Sequence, residues 1–263
     1  MYLVGLLLSL IIGIVLGLVG GGGSILTVPL VHYVFGESLF LATTYSLFVV
    51  AIAAAIGVIT RIPKKQIDFR GGIVFVIPSM ITAFLIRRYV MHLFPISFSI
   101  GGFELSRDFA ISMLLIVVML YTAFRTMFST KPQTGGSVGV PIVILFGVFT
   151  GLLSGFIGAG GGFIIVPILL RMGLEMKKAV GTSMFIIAIQ SAVALAGDFT
   201  GKALQADNPI DWQLLSWITI VTVVGVIAGG ILQKYFSGGA LRQVFSYVLI
   251  GVALGMIVQF SIG

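Results

Sequence analysis

Apolar residues in this chain do not alternate with polar ones at strand or helix spacing; they run on in eight stretches separated by short polar connectors. The stretches are 2–35, 39–60, 71–94, 108–128, 138–172, 177–197, 212–234 and 241–261. Most approach the ~20 residues that cross a bilayer core as a helix. A segment in lipid must satisfy its own N–H and C=O groups, which selects helix over open strand. A β-barrel would instead show stretches of roughly ten residues alternating in polarity. The pattern predicts an all-α polytopic membrane protein.

The first and fifth stretches are too long for one crossing. Each holds about 34 residues, about 50 Å of helix against a core of ~30 Å. Both are interrupted by glycine: GLVGGGGSILTVPL at 17–30 recurs 138 residues later as GFIGAGGGFIIVPI at 155–168. A second block follows with a shift of 137, matching Ala42, Ser46, Phe48, Ala51 and Ile52 to Ala179, Ser183, Phe185, Ala188 and Ile189. Two blocks in one order indicate duplication. The Pro/Gly/Ser/Thr stretch STKPQTGGS at 129–137 reads as the linker, so the repeats are 1–128 and 138–263.

Charge changes the picture of the two long stretches. If all eight segments cross, seven Lys/Arg fall on one side and eight on the other, with no positive-inside bias. If the first and fifth are re-entrant, turning at their glycines, the connectors 61–70, 125–137, 171–178 and 234–242 share the cytoplasmic side with eleven Lys/Arg. Only Arg87, Arg88, Arg107 and Lys202 then lie opposite, together with Glu37, Glu104, Asp108, Asp198, Asp207 and Asp211, while Asp68 and Glu175 stay inside. This topology gives each half one broken segment and three crossings. An odd number of crossings inverts the halves relative to each other.

Composition agrees and removes other classes. Residues are 59% hydrophobic and 9% charged, where soluble domains carry roughly 25% charged residues. The net charge of +7 is scattered over connectors, without the basic stripe of a nucleic-acid binder. There is no cysteine, which excludes thiol catalysis and disulfides, and His32 and His92 are too few for a histidine metal site. No cofactor is expected. An intramembrane enzyme would want a nucleophile with a base or a metal cluster, so the chain is read as no enzyme. The first run lacks a basic n-region and a cleavage site, so it is read as part of the mature fold. No GxxxxGK[ST] motif is present, which speaks against ATP-driven transport by this chain alone.

The candidate site follows from the glycines. Gly20, Gly21, Gly22 and Gly23, and Gly158, Gly160, Gly161 and Gly162, permit positive φ, so successive N–H groups converge on one point. A helix starting there adds a partial positive charge, which suits an anion. Ser24, Thr44, Ser46, Thr182, Ser183 and Gln190 add hydroxyls and an amide that ligate an oxyanion without burying a full charge. Against this stands close helix packing through small residues, and Ser/Thr bonding to their own helix. Asp198 reads as a solvated interface residue, Arg87 and Arg88 as side chains snorkelling to headgroups, His32 as passive, and Trp212 and Trp217 as interfacial anchors.

The two GxGGG…VP motifs and Ala179-Val180-Gly181-Thr182-Ser183, in a chain of four plus four segments, resemble the TauE/SafE sulfite-exporter family, also called the toluene-sulfonate uptake permeases. The resemblance covers essentially the whole chain. It implies a secondary transporter of sulfite, organosulfonates or related small anions in the plasma membrane of a prokaryote, the inner membrane in a Gram-negative cell. Its expected partners are the lipid bilayer, a small anionic substrate and a coupled proton or cation, with no nucleic acid; the oligomeric state is not specified. Gly20, Gly22, Gly23, Pro29, Gly158, Gly160, Gly161, Pro167, Gly181, Thr182 and Ser183 match the family's recurrent positions. The chain departs at 42–46, where Ala-Thr-Thr-Tyr-Ser replaces the Ala-Val-Gly-Thr-Ser of the second half. An anion channel, or a carrier of another anion such as a carboxylate, are the alternative readings.

Overall fold

The computed structural model describes residues 2–91, 97–100, 103–128, 139–200, 210–235 and 238–262. The linker 129–137, His92, Lys202 and Asp207 lie outside the described residues. The helices are α1 (Tyr2–Val19), α2 (residues 22–34), α3 (Leu39–Ile59), α4 (Phe69–Leu85), α5 (Arg107–Phe128), α6 (Val140–Ile157), α7 (Gly162–Arg171), α8 (Met176–Thr200), α9 (Trp212–Leu232) and α10 (Gly238–Ile262). Seven helices among the described residues are long and apolar enough to cross a membrane: α1, α3, α4 with its following turn, α5, α6, α8 and α9. With the turn Ile86–Val90 counted as part of α4, segment ends fall within four residues of those read from the apolar runs. One element departs from the all-helical expectation. Ser97–Ile100 pairs antiparallel with Phe103–Ser106 as a small hairpin, β1 and β2, in the connector before α5. Its Ser-Phe-Ser-Ile order alternates in polarity with the period of a strand.

Burial is arranged as lipid requires. Ile73, Ile77, Ile81 and Leu85 form one i, i+4 stripe along α4, each about half exposed, while Ser, Thr, Gln, Arg and Asp side chains occupy the interior. Apolar residues outward and polar residues inward mark a surface that faces acyl chains. α3 and α8 are the most enclosed helices. They run antiparallel through the centre, with Thr44 opposite Asp198 and Gly57 opposite Met184.

Both long segments break at glycine, and in both the chain doubles back. α2 winds through a 3-10 turn (Gly22–Leu26), an α turn (Thr27–Pro29) and a π turn (Leu30–Val34). Gly23 lies against Ile12 and Leu16 of α1, and Phe35 returns to Gly5 and to Tyr2, its ring 6.0 Å from the Tyr2 ring. α7 likewise returns from the tip of α6, bringing Met172 to within 3.6 Å of a methyl built on Gly71 at the start of α4.

Glycine also fixes the hairpins to the bundle. A methyl on Gly13 would lie 3.0 Å from the Cα of Gly225, and one on Gly17 3.1 Å from the Cα of Gly229, so α1 and α9 touch backbone to backbone. Gly147, Gly151 and Gly155 of α6 press on Phe75, Ser79 and Ile86 along α4. Residue numbers rise together in each pair, so both pairs are parallel. Without a hydrophobic force between helices in lipid, such close approach supplies the packing energy. The same aromatic contact is also made twice, by Phe48 with Trp212 at 6.3 Å and by Phe185 with Phe69 at 5.2 Å. Phe48 and Phe185 are themselves 137 residues apart.

The chain lacks cysteine, so single cysteines report sidedness directly. Cysteines placed at Tyr2 and Glu37 are expected to label from one face of the membrane, and those at Lys64 and Glu175 from the other; opposite labelling of Tyr2 and Glu37 would contradict the doubling back of the first segment. Gly225→Ala puts a methyl onto the carbonyl of Leu10 and is expected to cost about 1–3 kcal/mol of stability, read as a lower melting temperature in detergent. Gly251→Ala, where a methyl meets nothing within 4 Å, should leave it unchanged or raise it by up to about 1 kcal/mol.

Candidate functional site

The glycine loops are built alike. Gly20 and Gly21 hold φ of 72° and 82°, Gly158 and Gly161 φ of 74° and 68°, a left-handed conformation that side chains disfavour. The N–H of Gly20 donates to Leu16 O, and that of Gly158 to Ser154 O, both at 2.9 Å, closing α1 and α6 with equivalent caps.

The loops meet. A methyl built on Gly21 would lie 2.8 Å from the Cα of Gly162, and one on Gly162 would fall onto the backbone of Gly21. Each loop rests on the central helix of the other half. Gly20 sits on Val180 and Ser183 of α8, and Gly158 on Thr43 of α3. Gly160 reaches Ile187 and Val50, again a pair 137 apart, and Gly21 reaches Ile187 too. Around this crossing the N–H groups of Ala159, Gly160 and Gly161 have no backbone acceptor among the described residues. These three residues are buried beside the N-terminus of α7, whose dipole favours negative charge.

The candidate side chains divide into engaged and free. Ser24 Oγ donates to Gly21 O at 2.6 Å, Ser183 Oγ to Val180 O at 2.8 Å and to Gly20 O at 3.1 Å. Thr182 Oγ1 accepts from the N–H of Asp68 at 2.8 Å and so ties α8 to the turn before α4. Gln190 Nε2 donates to Thr150 O at 3.5 Å, which leaves its Oε1 without a partner. Ser46 Oγ and Ser191 Oγ are buried with no partner, and the same holds for Thr27 Oγ1 and Ser154 Oγ, which the sequence reading did not single out as site residues. Ser191 Oγ lies 3.3 Å from a methyl built on Gly160, beside the second loop. Buried hydroxyls without partners are costly and uncommon. A cleft of about 380 Å³ lined by Tyr2, Leu6, Asp211, Gln213, Leu214 and Trp217 lies elsewhere, at the N-terminal ends of α1 and α9.

Two charge readings are overturned. Asp198 is no solvated interface residue: it is fully buried, and its Oδ2 accepts from Thr44 Oγ1 at 3.0 Å and from Arg87 Nη1 at 3.1 Å. Arg87 does not snorkel, because the π turn Ile86–Val90 after α4 turns it inward, where it is fully buried. Its neighbour Arg88 is half-buried and donates to the exposed Thr200 O. At the other end of the bundle Arg61, also buried, donates through Nη2 to Gly17 O at 2.6 Å and through Nη1 to Gly57 O at 3.1 Å. Burial lowers its pKa to about 10, so it keeps its charge at neutral pH. The shift of 137 that aligns the halves carries Arg61 onto Asp198 and Thr44 onto Gly181, against which Arg61 Cδ packs. That alignment was the available signal for both charges. His32 is partly buried, with Nδ1 2.7 Å from Glu37 O, and Trp212 and Trp217 are exposed at the start of α9.

A bundle with lipid-facing apolar stripes and two glycine-broken hairpins that cross in its interior is the build of a multi-pass membrane protein. The chain belongs to the sulfite exporter TauE/SafE family of membrane transporters, whose family model matches residues 5–256. It is 29% identical to a probable membrane transporter protein of Xylella fastidiosa, over 94% of this chain and 91% of that one. A probable membrane transporter protein of Haemophilus influenzae is 26% identical over 97% of each chain. A sulfite exporter TauE/SafE family protein of Arabidopsis thaliana is 25% identical over 50% of this chain and 25% of its own length.

The unpartnered hydroxyls separate stability from function. Ser46→Ala and Ser191→Ala each remove an unsatisfied buried group, so stability, read as the melting temperature, is expected to hold or rise by about 1 kcal/mol at most. Transport should fall. Lost stability with intact transport in both variants would remove these residues from the site.

Proposed function

We propose that the chain is a secondary transporter of small sulfur-containing anions, sulfite, organosulfonates or related oxyanions, across the plasma membrane of a prokaryote. The observation that carries this reading is the crossing of Gly21 and Gly162 between two equivalent loops. Irregular backbone at membrane depth is tolerated where protein covers it or where it lines a cavity, and in transporters such breaks hold the substrate. Backbone donors at Gly21, Gly22 and Gly23, and at Gly160, Gly161 and Gly162, hold the anion from opposed directions, while Gly20, Ser24 and Gly158, whose N–H groups bond within the loops and their helices, shape the two turns. Thr44, Ser46, Thr182, Ser183 and Gln190 form or position the surrounding shell.

In this proposal residues 1–128 and 138–263 form two inverted repeats joined by 129–137. Parallel pairing of α1 with α9 and of α6 with α4 supports it, since each hairpin packs on a helix of the other half. The connectors carrying Arg61, Lys64, Lys65, Arg171, Lys177 and Lys178 then face the cytoplasm. Alternating access arises from movement of one group of helices against the other, driven by the gradient of the substrate and of a coupled proton or cation.

The test is flux of labelled sulfite and methanesulfonate into proteoliposomes holding the full chain. Saturable flux is expected, falling by about tenfold or more in Gly21→Val and Gly160→Val, because the added side chains displace the loops. Undiminished flux in both variants sinks the site. Conductance that does not saturate would make the protein an anion channel.

A further inference from the structure

We propose that Arg87, with Arg107 beside it, receives the transported oxyanion at the end of the bundle opposite Arg61, and that Asp198 sets the accepted charge at one. The inference rests on the transport reading above and adds a second contact point and a charge rule to it.

Arg87 is fully buried yet uses only Nη1, which reaches Asp198 Oδ2 at 3.1 Å and Oδ1 at 3.5 Å. Its Nε and Nη2 have no acceptor. Those two nitrogens make up the guanidinium edge that grips two oxygens of a carboxylate, sulfonate or phosphate at once. A pair kept only for structure would be expected to place the carboxylate on that edge. Here Thr44 Oγ1 holds Asp198 Oδ2 at 3.0 Å, and the edge stays open.

Arg107, at the start of α5, adds a second cation. Its Cζ stands 5.1 Å from the centre of the Phe40 ring, and Arg87 Cζ stands 6.0 Å from the same centre. Arg107 Nε is also without a partner. Two guanidiniums and one carboxylate leave a single positive charge, with half-buried Arg88, bonded to Thr200 O, outside the cluster. A monovalent oxyanion brings this group to neutrality. A divalent one leaves a net negative charge in a low-dielectric interior, which is strongly disfavoured. The cluster adjoins the glycine crossing, since Thr43, next to Thr44, carries Gly158 of the second loop. The corresponding end is built otherwise: Arg61 gives both terminal nitrogens to the carbonyls of Gly17 and Gly57, and so closes that end rather than receiving an anion.

The experiment is binding and flux of methanesulfonate, with one charge, and sulfate, with two, by the full chain in lipid nanodiscs and proteoliposomes. The wild type is expected to prefer methanesulfonate. Asp198→Asn keeps an acceptor for Arg87 but raises the cluster to two positive charges, so the preference should shift toward sulfate by at least about tenfold, or 1.4 kcal/mol. Arg87→Lys keeps the charge but removes the two-nitrogen edge, and methanesulfonate should bind at least about tenfold more weakly. Thr44→Val preserves the charges but frees Asp198 to swing onto that edge, so both anions should weaken with their ratio unchanged. An unshifted ratio in a monodisperse Asp198→Asn protein, full affinity in Arg87→Lys, or full affinity in Thr44→Val overturns the inference. If these three behave as wild type while Gly21→Val blocks flux, the transport reading stands and this one falls. A wild type that neither binds nor moves any of these anions overturns both.

Discussion

The structure turns on one constraint: a backbone N–H or C=O at membrane depth has no water to bond, and each unsatisfied group costs several kcal/mol. A chain that breaks its helices twice inside the membrane must therefore cover the breaks with itself. It does so by laying one break across the other, at Gly21 and Gly162, and by seating each on a central helix of the opposite half. Only glycine allows both the positive φ of the turns and the contact of one backbone with the other. The hairpins, the two central helices and the polar interior all follow from that crossing.

Close packing extends the same solution outward. α1 is held by α9 and α6 by α4, through glycines spaced four apart that let the backbones touch. Each half thus supplies the wall on which the hairpin of the other half rests, so neither half packs its own broken segment alone.

The scaffold is repeated but its chemistry is not. At one end of the central pair, Thr44, Asp198 and Arg87 form a buried polar triad. At the corresponding position of the other end, Arg61 lies on helix carbonyls beside Gly181 and Gly230. A cation at the C-terminal carbonyls of α1 and α3 is favoured by both helix dipoles, so that end closes without a carboxylate. Positions 137 apart thus carry different chemistry at the two ends.

Much was legible in the sequence because membrane physics writes itself into composition. The helix positions came from unbroken apolar runs, and the doubling back came from glycine clusters read together with the charges of the connectors. The hairpin of Ser97–Ile100 and Phe103–Ser106 was hidden in a connector too short for its alternation to stand out. Thr182 carries a site-like signature, yet its hydroxyl holds Asp68, because hydrogen-bond partners are set by which turn lands nearby. Asp198 and Arg87 looked like interface residues, since each lies near the end of an apolar run. Only the antiparallel meeting of α3 with α8, and the π turn after α4, brought them together out of water. The local sequence determined which segments cross and where they break, since a lipid-facing backbone must be satisfied within its own segment. Which polar groups share one interior was decided by the tertiary structure alone, because that depends on contacts between residues 111 to 154 positions apart.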